Sequence, residues 1–139
     1  MNITVIDGQG GQIGAQLVKE IIARFSTVKL TAIGTNAVAT AAMIKAGAKS
    51  AATGENPVIV AIRKADVIIG PVGIVIADSM LGEVTEKMAV AIGRANAVRI
   101  LLPVNKCDNL IAGVTSPNVS LLVEDALLKL KGVIDGRNG

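Results

Sequence analysis

The chain has 139 residues, 51% hydrophobic and 18% charged, with a net charge of +3. That fits one domain with its own core and excludes both a disordered chain and a cofactor domain joined to a second, substrate domain. There is no His, Trp or Tyr, one Phe and one Cys, which excludes histidine acid–base chemistry, His-ligated metals, an internal disulfide and a CxxC redox pair.

Residues 3–6 read as a first strand, followed by a glycine-rich loop and a helix over 12–25. That helix has Ile13, Leu17, Ile21 and Phe25 on one stripe. A second strand is expected over 28–33, an Ala-rich helix over 36–46 and a third strand over 49–53. Asn56 followed by Pro57 predicts an N-cap and first helical residue for a helix through 64. A fourth strand follows over 66–70. Thr85 is placed to cap a helix ending near 95, with strands five and six over 98–102 and 110–114. Val119, Leu122, Val123, Ala126, Leu127 and Leu130 mark the last helix, whose tail carries Lys129 and Lys131. Residues 1–135 are expected to form the domain, with 136–139 as a frayed tail.

Nearly all-apolar strands such as Val67-Ile68-Ile69 suit a parallel sheet covered on both faces. The alternation of strands and helices predicts an α/β fold, a single doubly wound, mostly parallel Rossmann-like sheet with helices on both faces. Ligands of such sheets bind outside the carboxyl ends of the strands, at the switch point. The sequence leaves the strand order open; if it is 3-2-1-4-5, the crevice lies between strands one and four, lined by the loops after Asp7, Gly70 and Leu102.

The segment Gly8-Gln9-Gly10-Gly11-Gln12-Ile13-Gly14 follows a strand and opens a helix. In that setting glycines let the backbone approach a phosphate, and the helix start supplies free N–H groups. The spacing matches G-x-x-G-x-x-G, through Gly8, Gly11 and Gly14. It resembles the loop of extended short-chain dehydrogenases, which implies NAD or NADP, with FAD or a mononucleotide as alternatives. The catalytic Tyr of those enzymes is absent, so their mechanism is excluded. No acid ends the second strand to hold an adenosine ribose. Thr35 and Asn36 stand there, either as ribose contacts or as a helix cap. Replacing Gly11 with Val is expected to block phosphate approach with little unfolding.

Gly70, Pro71 and Gly73 either pass along a cofactor or form an apolar turn. Thr53-Gly54-Glu55-Asn56-Pro57 is either a capped turn or an adenine or ribose edge. Asn105, Lys106 and Cys107 form the most polar cluster at a strand end. Lys106 could neutralise a phosphate and Asn105 orient a carbonyl. Cys107 is either a nucleophile or a small buried hydrophobe. Asp7 is expected to accept from loop N–H groups in a structural role. Glu83 and Lys87 have the spacing of a helical ion pair, and no carboxylate spacing implies a metal.

Val5-Ile6-Asp7-Gly8-Gln9-Gly10-Gly11, Gly34-Thr35-Asn36, Ala52-Thr53-Gly54-Glu55-Asn56, Gly70-Pro71 and Asn105-Lys106-Cys107 together resemble a family of short bacterial proteins known only as a domain of unknown function. The resemblance implies a free-standing cytosolic protein with a Rossmann-like fold and no assigned activity. The residues thus point to a small nucleotide- or dinucleotide-binding protein. The alternatives are a sensor or accessory subunit that controls a larger enzyme, and a small enzyme acting through Lys106 or Cys107. The apolar composition predicts a homodimer. Scattered Lys and Arg without an aromatic platform predict no nucleic-acid partner. The longest apolar run, 67–77, is shorter than the roughly 20 residues of a spanning helix, so no membrane is expected. No signal peptide is visible, and the expected compartment is the cytoplasm.

Overall fold

The computed structural model describes residues 1–104, 108–114 and 118–138. Five parallel strands form one sheet: β1 (Asn2–Asp7), β2 (Lys29–Gly34), β3 (Ser50–Thr53), β4 (Val67–Pro71) and β5 (Val98–Leu102), in the order β3-β2-β1-β4-β5. Among the described residues, five helices connect or follow them: α1 (Gln12–Arg24), α2 (Ala37–Lys45), α3 (Glu55–Ile62), α4 (Glu86–Arg94) and α5 (Val119–Asn138). A 3-10 turn, Val72–Val75, follows β4. The Rossmann-like α/β fold is that expected from the alternation; the strand order, which the sequence leaves open, is the one that places a crevice between β1 and β4.

Period-two alternation divides the core. Ile3, Val5, Ala32, Val67, Ile69 and Ile100 face α1, α2 and α5. Ile6, Ile33 and Ile68 face α3 and α4 on the other side. Every residue of β4 is buried, as the central strand of a sheet covered on both faces requires. β1 and β4 pair from Ile3↔Val67 to Val5↔Ile69. This is the switch point, because the connections leave β1 and β4 on opposite faces of the sheet.

Several expectations are corrected. Residues 110–114 form no strand but a turn, with Val114 N–H donating to Ile111 O. Gly113, at φ 90°, breaks the extended backbone that a strand over this apolar run would need. The cap of α3 is Gly54, at φ 110°, and not Asn56; Glu55 and Asn56 already lie in the helix. Gly54 N–H donates to Gly34 O at 2.9 Å, which turns the chain into α3 two residues earlier than the Asn-Pro pair suggests. That helix ends at Ile62. Residues 136–138, expected as the start of a tail, continue α5. Arg137 Nη1 bonds Asp66 Oδ1 at 2.7 Å, and Asp66 Oδ2 accepts the Asn2 N–H at 2.7 Å. These bonds tie the end of the helix to the starts of β1 and β4.

Candidate functional site

The glycine loop leaves β1 at Asp7 and enters α1 at Gln12. Asp7 is 1% exposed, and its carboxylate is held from two sides. Oδ1 accepts the Gly8 N–H at 2.8 Å and Oδ2 the Gly14 N–H at 2.7 Å. Burial pushes the Asp7 carboxyl above its usual range, against the two backbone bonds that favour the charge; the negative Glu83 adds to the rise. Asp7 therefore braces the inside of the loop.

Steric requirements sort the glycines. A Cβ on Gly8 would stand 2.5 Å from Thr35 Oγ1. On Gly11, at φ +74°, it would lie 2.7 Å from Ala39 Cα, and on Gly14 2.6 Å from Met43 Sδ. A Cβ on Gly10 would meet nothing within 4 Å. The three-residue spacing is thus the one that folding needs, since it lets α1 approach β1, β2 and α2 closely. Gly11 is the N-cap of α1 and supplies no capping side chain, and no acid occupies the first turn. Gln12 is exposed at the helix start. Ile13 is buried in the core beneath it.

The conformation of Gly11 corrects the expected effect of Gly11→Val. A β-branched residue there would be strained in φ and would strike the backbone of α2, so unfolding and binding effects would be inseparable.

The acid missing from the end of β2 comes from elsewhere. Glu83 lies in a strap, residues 76–84, between the 3-10 turn and α4. Its Oε1 accepts the Gln9 N–H at 2.8 Å, the Thr35 hydroxyl at 2.7 Å and Asn36 Nδ2 at 2.7 Å. Asn36 Nδ2 also donates to Gln9 O at 3.0 Å, while Asn36 Oδ1 caps α2 by accepting the Ala39 N–H at 2.9 Å. Asn36 is therefore the helix cap and a Glu83 partner at once. Burial works to raise the Glu83 carboxyl, but the bonds from Gln9, Thr35 and Asn36 outweigh it and hold the group below its usual range. The expected Glu83–Lys87 ion pair is corrected: Glu83 precedes α4, and its carboxylate turns to the glycine loop.

The strap is anchored. Met80 and Val84 are each 1% exposed. Asp78 N–H donates to Val84 O at 2.8 Å and Val84 N–H to Ser79 O at 3.2 Å. The Ser79 hydroxyl donates to Gly73 O. Asp78, Met80 and Leu81 adopt positive φ, a conformation that costs energy in non-glycine residues and persists where surrounding contacts enforce it. Thr85 then caps α4 through the Met88 N–H and donates its own proton to Glu55 Oε1 at 2.5 Å.

Gly70 lies within β4, where a Cβ would run into the Ile6 carbonyl oxygen. Its absence of a side chain serves the approach of β1 to β4. Pro71 and Gly73 are buried beside it. Thr53 meets Thr40 at 2.6 Å between the hydroxyl oxygens, joining the ends of β3 and α2. The structure thus brings Gly8, Gln9, Gly10, Gly11, Gln12, Gly14, Thr35 and Asn36 together at the carboxyl ends of β1 and β2. Asn105, Lys106 and Cys107 lie outside the described residues. No metal-binding group of His, Cys, Asp or Glu occurs among the described residues. None of their helices is long and apolar enough to cross a membrane.

A family profile described as Domain of unknown function (DUF3842) matches residues 2–135. The chain belongs to that family. No curated protein matches it. A solved structure of a dodecameric FMN-dependent Ubix-like decarboxylase from Escherichia coli O157:H7 is similar to this DUF3842 member over 96% of this chain and 76% of that chain, with TM-score 0.47 and 14% identity. The FMN and the dodecamer are properties of that enzyme.

Proposed function

We propose that this DUF3842 protein binds a nucleotide or dinucleotide across the carboxyl ends of β1, β2 and β4. The observation that carries the reading is the position of Glu83. A carboxylate stands at the end of β2, fixed by Gln9, Thr35 and Asn36, beside the start of α1, whose N-cap Gly11 brings no side chain. An acid at the end of the second strand is the group that accepts the ribose hydroxyls of NAD. In the first turn of α1 the Gly14 N–H is held by Asp7, which leaves the Gln12 and Ile13 N–H groups for the phosphates. Glu83 takes the Gln9 N–H, so phosphate falls to the segment from Gly10 to Ile13, away from the negative charge.

The ligand order follows. A 2′-phosphate beside Glu83 would be repelled, which puts NAD ahead of NADP. Adenine mononucleotides and FAD carry the same phosphate and follow. The reading includes a homodimer, favoured by Leu121 and Leu128, both 68% exposed and seven residues apart on α5. A concentration-independent monomer in light scattering would remove that part.

With no Trp or Tyr, the purified protein is nearly transparent in the near ultraviolet. A retained nucleotide should therefore appear in its absorbance spectrum and be identifiable by mass. For an empty site, NAD should raise the Tm in a thermal-shift panel, because a ligand that binds only the folded state stabilises it. No shift with any nucleotide would reject the proposal.

A further inference from the structure

A groove of about 880 Å³ opens on the molecule, and no residue of the glycine loop lines it. It runs along the α3 face of the sheet, from the amino ends of β1 and β2 toward β3. α3 leaves part of this face uncovered. The floor includes Thr31, Ile33 and Ala52, and the wall includes Pro57, Val60 and Ala61. Val60 is a large apolar side chain left 46% exposed.

Charge is confined to one end. Lys29, Lys49 and Lys64 line the groove where the strands begin, and no carboxylate lines it. Lys29 is the cross-strand neighbour of Asn2, whose Nδ2 donates to the Lys64 carbonyl at 3.0 Å. Lys49 directly precedes β3. None of the three lysines forms an ion pair among the described residues, whereas Arg24, Lys129, Lys131 and Arg137 all do. Asp66, bonded to the Asn2 N–H, is engaged by Arg137.

We propose that this groove binds a monomeric anionic amphiphile of the fatty-acid type, its carboxylate among the three lysines and its chain along Ala52, Pro57 and Val60. A pocket of this size with an apolar body and a few polar groups at one end has the form of a small-molecule site. A second copy of the chain is disfavoured as the occupant, because two such faces would bring six uncompensated lysines together. From Lys29 to Ile33 the strand covers roughly 13 Å at 3.3 Å per residue, enough for a medium-length acyl chain to lie flat.

Titration calorimetry with octanoate, decanoate and dodecanoate below their micellar concentrations tests the proposal. Affinity should rise about two- to fourfold per added methylene until the groove is filled. Decanol and decyltrimethylammonium should bind more weakly than decanoate. The double variant Lys29→Glu/Lys64→Glu should lose at least about tenfold in decanoate affinity. Val60→Asp should lose binding, and both variants, changed at exposed side chains, should keep the wild-type circular dichroism. Equal binding of decanol, indifference to the charge reversal, or association only with phosphatidylglycerol vesicles would overturn it. NAD binding at the opposite end should be unchanged in both variants, so the outcome is independent of the nucleotide proposal.

Discussion

Gln9 and Glu83 stand 74 residues apart in the chain and meet in one hydrogen bond, the Gln9 N–H donating to Glu83 Oε1 at 2.8 Å. That contact joins the glycine loop to the strap after β4, across the switch point of the sheet. The strap's own backbone bonds and the burial of Met80 and Val84 fix its position. The carboxylate is therefore a standing part of the site.

The glycines should respond differently. Gly10→Val meets open space and should leave the Tm within a few degrees of wild type while obstructing the start of α1. Gly11→Ala should cost roughly 2–5 kcal/mol from its left-handed φ and its contact with Ala39. Thermal unfolding of the two variants, with nucleotide titration of the first, checks both. Normal nucleotide binding by Gly10→Val would mean that the loop only turns the chain.

Asp7→Asn should destabilise the fold by about 1–3 kcal/mol, because one amide oxygen cannot serve both the Gly8 and Gly14 N–H groups. The pH dependence has a definite sign. Burial raises the Asp7 carboxyl in the folded state, so the native protein holds that proton more tightly than the unfolded chain does. Its contribution is most favourable below the ordinary aspartate range and declines as pH rises through the raised value. The difference between wild type and Asp7→Asn should therefore shrink with rising pH. Denaturant unfolding at several pH values measures it.

Glu83 should show the opposite sign. Its carboxyl is held below the usual range, so its contribution is present above the ordinary glutamate range and is lost as pH falls through the lowered value. Glu83→Ala should cost about 1–2 kcal/mol at neutral pH, since water replaces part of what the half-buried donors lose. In Glu83→Gln the amide oxygen can still accept from Gln9, Thr35 and Asn36, and this acid-side loss should vanish. Unfolding curves of the two variants against pH separate the charge from the hydrogen bonds.

Thr40→Val should cost about 1–2 kcal/mol. Thr40 is buried, and its hydroxyl meets Thr53 Oγ1 at 2.6 Å and the Asn36 carbonyl at 3.1 Å. The substitution keeps the shape and removes the link between the ends of β2, β3 and α2. A shift of the urea midpoint at constant m-value would report it.

Much of the sheet was legible because its signals are local. The apolar run Val67-Ile68-Ile69 and the stripe Ile13, Leu17, Ile21 carry their period in adjacent residues. The Asn36 and Thr85 caps also appear as expected. Gly54 displaced Asn56 as a cap because a bond to Gly34, a residue of another strand, decides where α3 begins. Glu83 was missed as a site residue for the same kind of reason. Its neighbours in sequence suggest an ordinary helical pair with Lys87, and only the tertiary fold carries it to Gln9 and Thr35. The one available clue was negative: a second strand ending in Gly34-Thr35-Asn36 leaves the place of its acid vacant.

The most direct test of the nucleotide account is the ratio of the NAD and NADP dissociation constants of the wild-type protein, measured by calorimetry in one buffer. The account predicts that NAD binds at least about tenfold more tightly, since Glu83 would face the 2′-phosphate of NADP as a like charge. NADP binding as tightly as NAD, or more tightly, would contradict the assignment of Glu83 to the ribose.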